Sequence, residues 1–142
     1  MSLSATARSI PGTLRQEIVI DGRHRLITDQ PAQFGGDGAG PSPHELFPAA
    51  LAACLTVTLV QYGRTKGCEL GDVRVAVDYD RHSSPRRVRI AVELGGNLTA
   101  EQLERLQEVA RACPLRRSIE TGFEFAETIR GASPAVTARP AP

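Results

Sequence analysis

The chain has 142 residues, a formal net charge of +1 and no tryptophan, which fits one domain with enough sequence to bury a core. So balanced a charge excludes an electrostatic claim on nucleic acid or a membrane surface, and the scarcity of aromatics argues against base stacking. The opening MSLSATARSIPG lacks the positive and apolar regions of a signal peptide, which points to the cytoplasm.

Residues 1–13 are poorly patterned, with room for a first strand. LRQEIVID (Leu14 to Asp21) and the run from Arg23 to Thr28 read as two strands joined at Asp21-Gly22, a hairpin turn signal. From Pro31 to Pro43 the chain is a loop, too rich in glycine and proline for a regular element. It lacks the lysine and spacing of a phosphate-binding Walker loop.

Ser42-x-x-Glu45 fits a capping box with Pro43 at the first helical position. The helix it opens runs on to between Gly63 and Gly67. Pro48 removes the bond to the His44 carbonyl, so a kink or restart is expected there. From Phe47 to Val60 the helix is almost entirely apolar and holds Cys54, and no charge lies between Glu45 and Arg64. Lacking a polar stripe, it reads as buried on most sides. Its continuous apolar run of about 14 residues falls short of the roughly 20 of a membrane span. Ala49, Ala50, Ala52 and Ala53 would let another backbone come close. One small chain supplies little to cover such a helix, which predicts a two-fold homodimer with these helices near its centre.

The stretches from Asp72 to Asp80 and from Arg87 to Leu94 alternate, as half-buried antiparallel strands do. From Thr99 to Ala112 an amphipathic helix follows, with a second capping box, Thr99-x-x-Gln102. Leu103, Leu106, Ala110 and Cys113 recur on one face of it, and Pro114 ends it. The run from Phe123 to Ile129 reads as a closing strand. The Pro- and Ala-rich tail, 131–142, is expected to be disordered. Strands and helices are segregated, so the fold class is α+β, in one domain over 1–130.

Three cysteines, at 54, 68 and 113, form no CxxC pair, and His24, His44 and His82 are scattered. No metal site or cofactor is implied. Cys54 has two readings, a small buried hydrophobe or a reactive thiol whose pKa a neighbouring cation lowers. Cys54 and Cys113 each lie on the apolar side of a helix, where both could meet in the core. Cys68, in a helix-to-strand connection, is expected to carry no chemistry.

GPSPHELFPAALAAC, a helix ending YGRTKG, and LTAEQLERLQEVARACPLRRSIETG together resemble the OsmC/Ohr family, osmotically inducible protein C and the organic hydroperoxide resistance proteins. Most specific are G-P-S-P-x-E-L, with a cysteine nine residues after that Glu, and the later Cys-Pro. The likeness runs from about Leu14 to Ile129 and is greatest to the OsmC-like branch, which has a segment like DGRHRLITDQP. It implies an intertwined α+β homodimer with antiparallel sheets and buried central helices. The activity it implies is a thiol peroxidase that reduces organic hydroperoxides, in which Cys54 attacks the peroxide and Cys113 condenses with it to a disulfide. A dithiol such as a dihydrolipoyl group recycles it, and no metal, haem or flavin is required.

The chain also departs from that pattern. The family's peroxidase branches carry a Glu ten residues before the reactive cysteine, paired with an Arg that stabilises the thiolate. Here that position is His44, and the nearest acid is Glu45, which also fits the capping box. His44 is either a donor to the thiolate or a solvated helix-start residue. The Arg comes from the N-terminal hairpin, where Arg15 lies closest and Arg23 and Arg25 are alternatives. Two rival readings stay open, a protein that binds an apolar ligand at the dimer interface and a thiol-exchange enzyme that uses no peroxide.

Overall fold

The computed structural model describes residues 2–131 and 136–138. Strands β1 (Ala5–Ser9), β2 (Gln16–Ile20) and β3 (His24–Thr28) form an antiparallel sheet in the order β1-β2-β3. Its registers pair Ala7 with Ile18 and Ile18 with Leu26. The β2–β3 turn forms at Asp21 and Gly22, both with positive φ, 51° and 67°, and the Arg23 N–H closes it on the Ile20 carbonyl at 3.0 Å; because Ile20 pairs with His24, three residues join the strands. The following loop is not wholly irregular, because Ala32–Phe34 closes a 3₁₀ turn that ends on left-handed Gly35.

Helix α1 spans Pro43–Lys66, 24 residues, with Pro48 inside it and no break in the helical assignment. The helix does not restart at Pro48. The missing bond belongs to the first turns, where His44 is exposed and water can take the place of the absent donor. Leu51, Leu55, Leu59 and Gly63 are buried at four-residue intervals, the spacing that stacks side chains on one helix face. The opposite face is open: Ala49, Ala50, Ala53 and Gln61 are exposed, and Val57 is 47% exposed. Within one chain the helix is therefore buried along one stripe and not on most sides. By length and composition it would pass for a membrane span, a test that the core helix of a soluble protein also passes.

Strands β4 (Val73–Asp80) and β5 (Arg87–Leu94) pair as a second sheet. Helix α2 (Ala100–Arg111) starts on the predicted capping box, with Thr99 and Gln102 each bonding the other's backbone. Its end differs from expectation. Pro114 does not merely stop a helix; it begins α3 (Pro114–Thr121), with Cys113 as the N-cap. A proline suits the first helical position, where its missing N–H would have no partner anyway. The closing strand shrinks to β6 (Glu127–Ile129), which pairs antiparallel with β7 (Val136–Ala138). One segment of the tail expected to be disordered is thus a strand; 132–135 and 139–142 lie outside the described residues.

By internal contacts the chain divides into two compact units, 1–53 with 74–93, and 54–73 with 94–142. In the first lie the three-stranded sheet, the glycine loop, the start of α1 and most of the β4–β5 pair. In the second, the end of α1 carries Leu55 and Leu59, joined by Leu70, Leu106 and Cys113 as buried residues. A side chain at Gly63 would meet Leu70, so glycine is what lets the chain return there, Cys68 N–H donating to the Gly63 carbonyl at 2.8 Å.

Candidate functional site

In the second unit, α1 presents Cys54 and the α2–α3 junction presents Cys113. Both thiols are free, and the Cys113 thiol donates to Cys54 Sγ at 3.2 Å. Cys113 is fully buried, while Cys54 keeps some exposure. Burial pushes the Cys54 thiol above its usual pKa, and Cys113, a second ionisable thiol beside it, adds to this. The Leu115 amide and the Thr58 hydroxyl oppose it by donating toward the sulfur. Thr58 also donates to the Cys54 carbonyl at 2.7 Å, and one hydroxyl proton serves one acceptor at a time. The Leu115 amide is the steadier donor. It is available because Pro114 leads α3 and Leu115 is the first residue of that helix with an N–H to give. Cys68 lies apart, lining two shallow surface depressions with Gly63 and Leu70, and with Tyr62 and Arg105.

In the first unit, Arg15 precedes β2 and meets two carboxylates, its Nη2 donating to Asp37 Oδ2 at 3.2 Å and its Nε standing 3.6 Å from Asp29 Oδ2. Asp29 is wholly buried. Its carboxylate accepts the backbone N–H groups of Gln30 at 2.8 Å, Asp37 at 3.1 Å and Ala39 at 3.0 Å. The Ala39 bond, more than any other, holds its pKa below the ordinary carboxylate value, helped by Gln30, Asp37 and the Arg15 charge against the penalty of burial. The glycine loop is wound around this side chain, and Gly36 and Gly40 pass so close to the backbone of Gln30 and Ile27 that neither has room for a Cβ.

Because the Asp29 pKa is lowered in the folded state, its ionisation stabilises the fold above about pH 4 and that stability is lost as pH falls through the folded value. Thermal midpoints measured from pH 6 down to pH 2.5 should therefore fall less steeply in Asp29→Asn than in wild type, with the two curves closest at the acid end.

Of the other predicted site residues, Glu45 spends its side chain on the helix start, Oε2 accepting Ser42 N–H at 2.9 Å. His44 is exposed. With Glu45, Phe34, Pro48, Tyr79 and His82 it lines an open groove of about 810 Å³ in the first unit. Arg23 and Arg25 are tied to acids of their own hairpin, Asp21 and Glu17, which leaves Arg15 as the hairpin arginine held by the loop. Asp29, Thr58 and the Leu115 amide were not singled out from sequence. Only Asp29 left a trace there, as an acid opening a glycine-rich loop.

Residues 35–128 match the family model described as OsmC-like protein. A search of the curated proteins returns no match. Among solved structures, the chain is similar to an organic hydroperoxide resistance protein OsmC of Legionella pneumophila (24% identity, 84% of this chain and 89% of that one, TM-score 0.64). It is also similar to a Psychrobacter arcticus protein described as an osmotic stress induced and detoxification response protein (23%, 80% and 85%, TM-score 0.67). An OsmC like protein of Mycoplasma pneumoniae shares the fold at lower identity (16%, 84% and 88%, TM-score 0.71). The family match covers most of the chain and takes in both the glycine loop and the cysteine pair: the protein belongs to the OsmC-like family.

Proposed function

We propose that the protein is a cysteine-based thiol peroxidase that reduces organic hydroperoxides in defence against oxidative and osmotic stress. The observation that carries this reading is the pair of free thiols 3.2 Å apart. In the first step the Cys54 thiolate attacks one peroxide oxygen, the O–O bond breaks, and the departing alkoxide takes up a proton to leave as the alcohol. Cys54 is then a sulfenic acid. Cys113 attacks its sulfur, water leaves, and the two-electron oxidation is stored as a Cys54–Cys113 disulfide. A dithiol, of lipoyl or similar type, returns both cysteines to thiols by exchange.

The reading requires a thiolate, and burial works against one. The Leu115 amide supplies part of the compensation, and the family resemblance makes Arg15 the candidate for the rest. His44 and Glu45 have lesser parts, since one is exposed and the other caps α1. The open face of α1, with its alanines and Val57, supports a homodimer in which a second copy covers it. The cytoplasm is the compartment assigned, in keeping with free thiols.

Cumene hydroperoxide added to the reduced protein should produce a Cys54–Cys113 disulfide and leave Cys68 reduced, as read by peptide mapping in a mass spectrometer. Pairing of Cys68 with Cys54, or three thiols that stay reduced, would end the peroxidase reading. The raised Cys54 pKa and His44 in place of an acid would then favour a protein that binds an apolar ligand.

A further inference from the structure

Thr58 stands one turn after Cys54 on α1 and is half-buried, and a helical side chain leans back over the turn before it. Its hydroxyl donates to the Cys54 carbonyl at 2.7 Å, the back-bonding that threonine makes inside helices, and it faces the Cys54 sulfur as a second acceptor. The carbonyl does not depend on it. In an unbroken helix the backbone N–H of Thr58 bonds that same oxygen, so the hydroxyl can turn to the sulfur without leaving the carbonyl bare. Which acceptor it serves follows from charge. A neutral thiol is a weak acceptor and the carbonyl wins; a thiolate makes a charge-assisted bond, roughly twice as strong as one between neutral groups.

We propose that Thr58 is a further catalytic residue of this site, a hydroxyl that donates to the Cys54 carbonyl while Cys54 is a thiol and turns its proton to the sulfur when Cys54 ionises. The proposal rests on the reading of Cys54 as the nucleophile. It adds a third donor to the thiolate, beside the Cys113 thiol and the Leu115 amide, and all three belong to the second compact unit. The three differ in what they do as the reaction proceeds. The Leu115 N–H is fixed by the backbone at the start of α3 and cannot follow the charge. Cys113 gives up its proton to the departing water when it attacks the sulfenic acid. Of the three, only Thr58 both answers the ionisation of Cys54 and keeps its proton through the disulfide step, and it returns to the carbonyl once the sulfur is neutral again.

The test reads the Cys54 thiol pKa, from the pH dependence of alkylation of its peptide by iodoacetamide, beside the single-turnover rate with cumene hydroperoxide. Thr58→Val keeps the branched shape and loses the hydroxyl. It should raise that pKa by about one unit and slow the reaction about tenfold, one unit being a tenfold loss of thiolate. Thr58→Ser, which keeps the donor, should stay within about twofold of wild type in both. Thr58→Ala should behave as Thr58→Val does, and it tests the proposal should the valine variant fail to fold. Wild-type pKa and rate in Thr58→Val or Thr58→Ala would overturn the proposal. So would Thr58→Ser as slow as Thr58→Val, because shape and not the hydroxyl would then be at work. The alkylation uses no peroxide: a raised pKa in Thr58→Val, in a protein whose wild type ignores hydroperoxide, would uphold the hydroxyl as donor to the sulfur and end the peroxidase reading.

Discussion

Cys54→Ser should lose hydroperoxide reduction by on the order of 10³-fold or more, whereas Cys113→Ser should react once and stop. The contrast follows from the positions of the two sulfurs. Cys54 keeps some exposure and receives the Leu115 amide, while Cys113 is fully buried and donates to it. A hydroxyl at position 54 has far too high a pKa to ionise there, so no nucleophile remains. Loss of the second sulfur leaves the first step intact, and the sulfenic acid then accumulates for want of a thiol 3.2 Å away. A dimedone adduct on Cys54 in Cys113→Ser, at one equivalent per chain and without turnover, is the expected signature. Multiple turnovers in Cys54→Ser would show that another group carries the reaction.

Gly36→Ala should be among the most damaging single changes in the first unit, costing about 2–4 kcal/mol and lowering the thermal midpoint by about 5–10 °C. A Cβ there would overlap the carbonyl of Gln30 and stand 2.8 Å from Asp29 Oδ1. Backbone cannot swing aside as a long side chain does, so the loop itself must move, and with it the amides of Asp37 and Ala39 that satisfy a buried carboxylate. Gly38→Ala is the control. Gly38 has a φ of 65° but open space where a Cβ would go, so its cost is only the left-handed backbone, about 1 kcal/mol. Equal melting temperatures for the two variants would contradict this account of the loop.

What could be read from sequence was local. Asp21-Gly22 announces its turn because both residues tolerate positive φ, and Thr99 with Gln102 announces a helix start because their partners lie three residues apart. Alternation marks β4 and β5, and Cys54 and Cys113 could be placed on apolar faces by counting turns. What escaped is of another kind. Asp29 finds its amide donors at positions 37 and 39, a contact made by the path of a loop and not by any periodicity. The helix α3 was hidden by Pro114, which reads equally as the end of one helix or the first residue of the next. Reading it as an end hid the Leu115 amide as well, and with it a backbone donor that lowers the Cys54 pKa. On α1 the lack of a polar stripe was legible, but hydropathy does not tell whether the chain itself or another copy covers each face.

If a second copy covers that open face of α1, as proposed, folding becomes a matter of amount as well as of sequence. In the proposed dimer a second copy would cover Val57 and the exposed alanines of the most apolar helix, and by mass action the stability gained would grow with the logarithm of the protein's own concentration. Diluting the protein a hundredfold should therefore lower its melting temperature in the absence of any ligand, oxidant or mutation. The cell's level of expression would set how much of the protein is in its sturdier form.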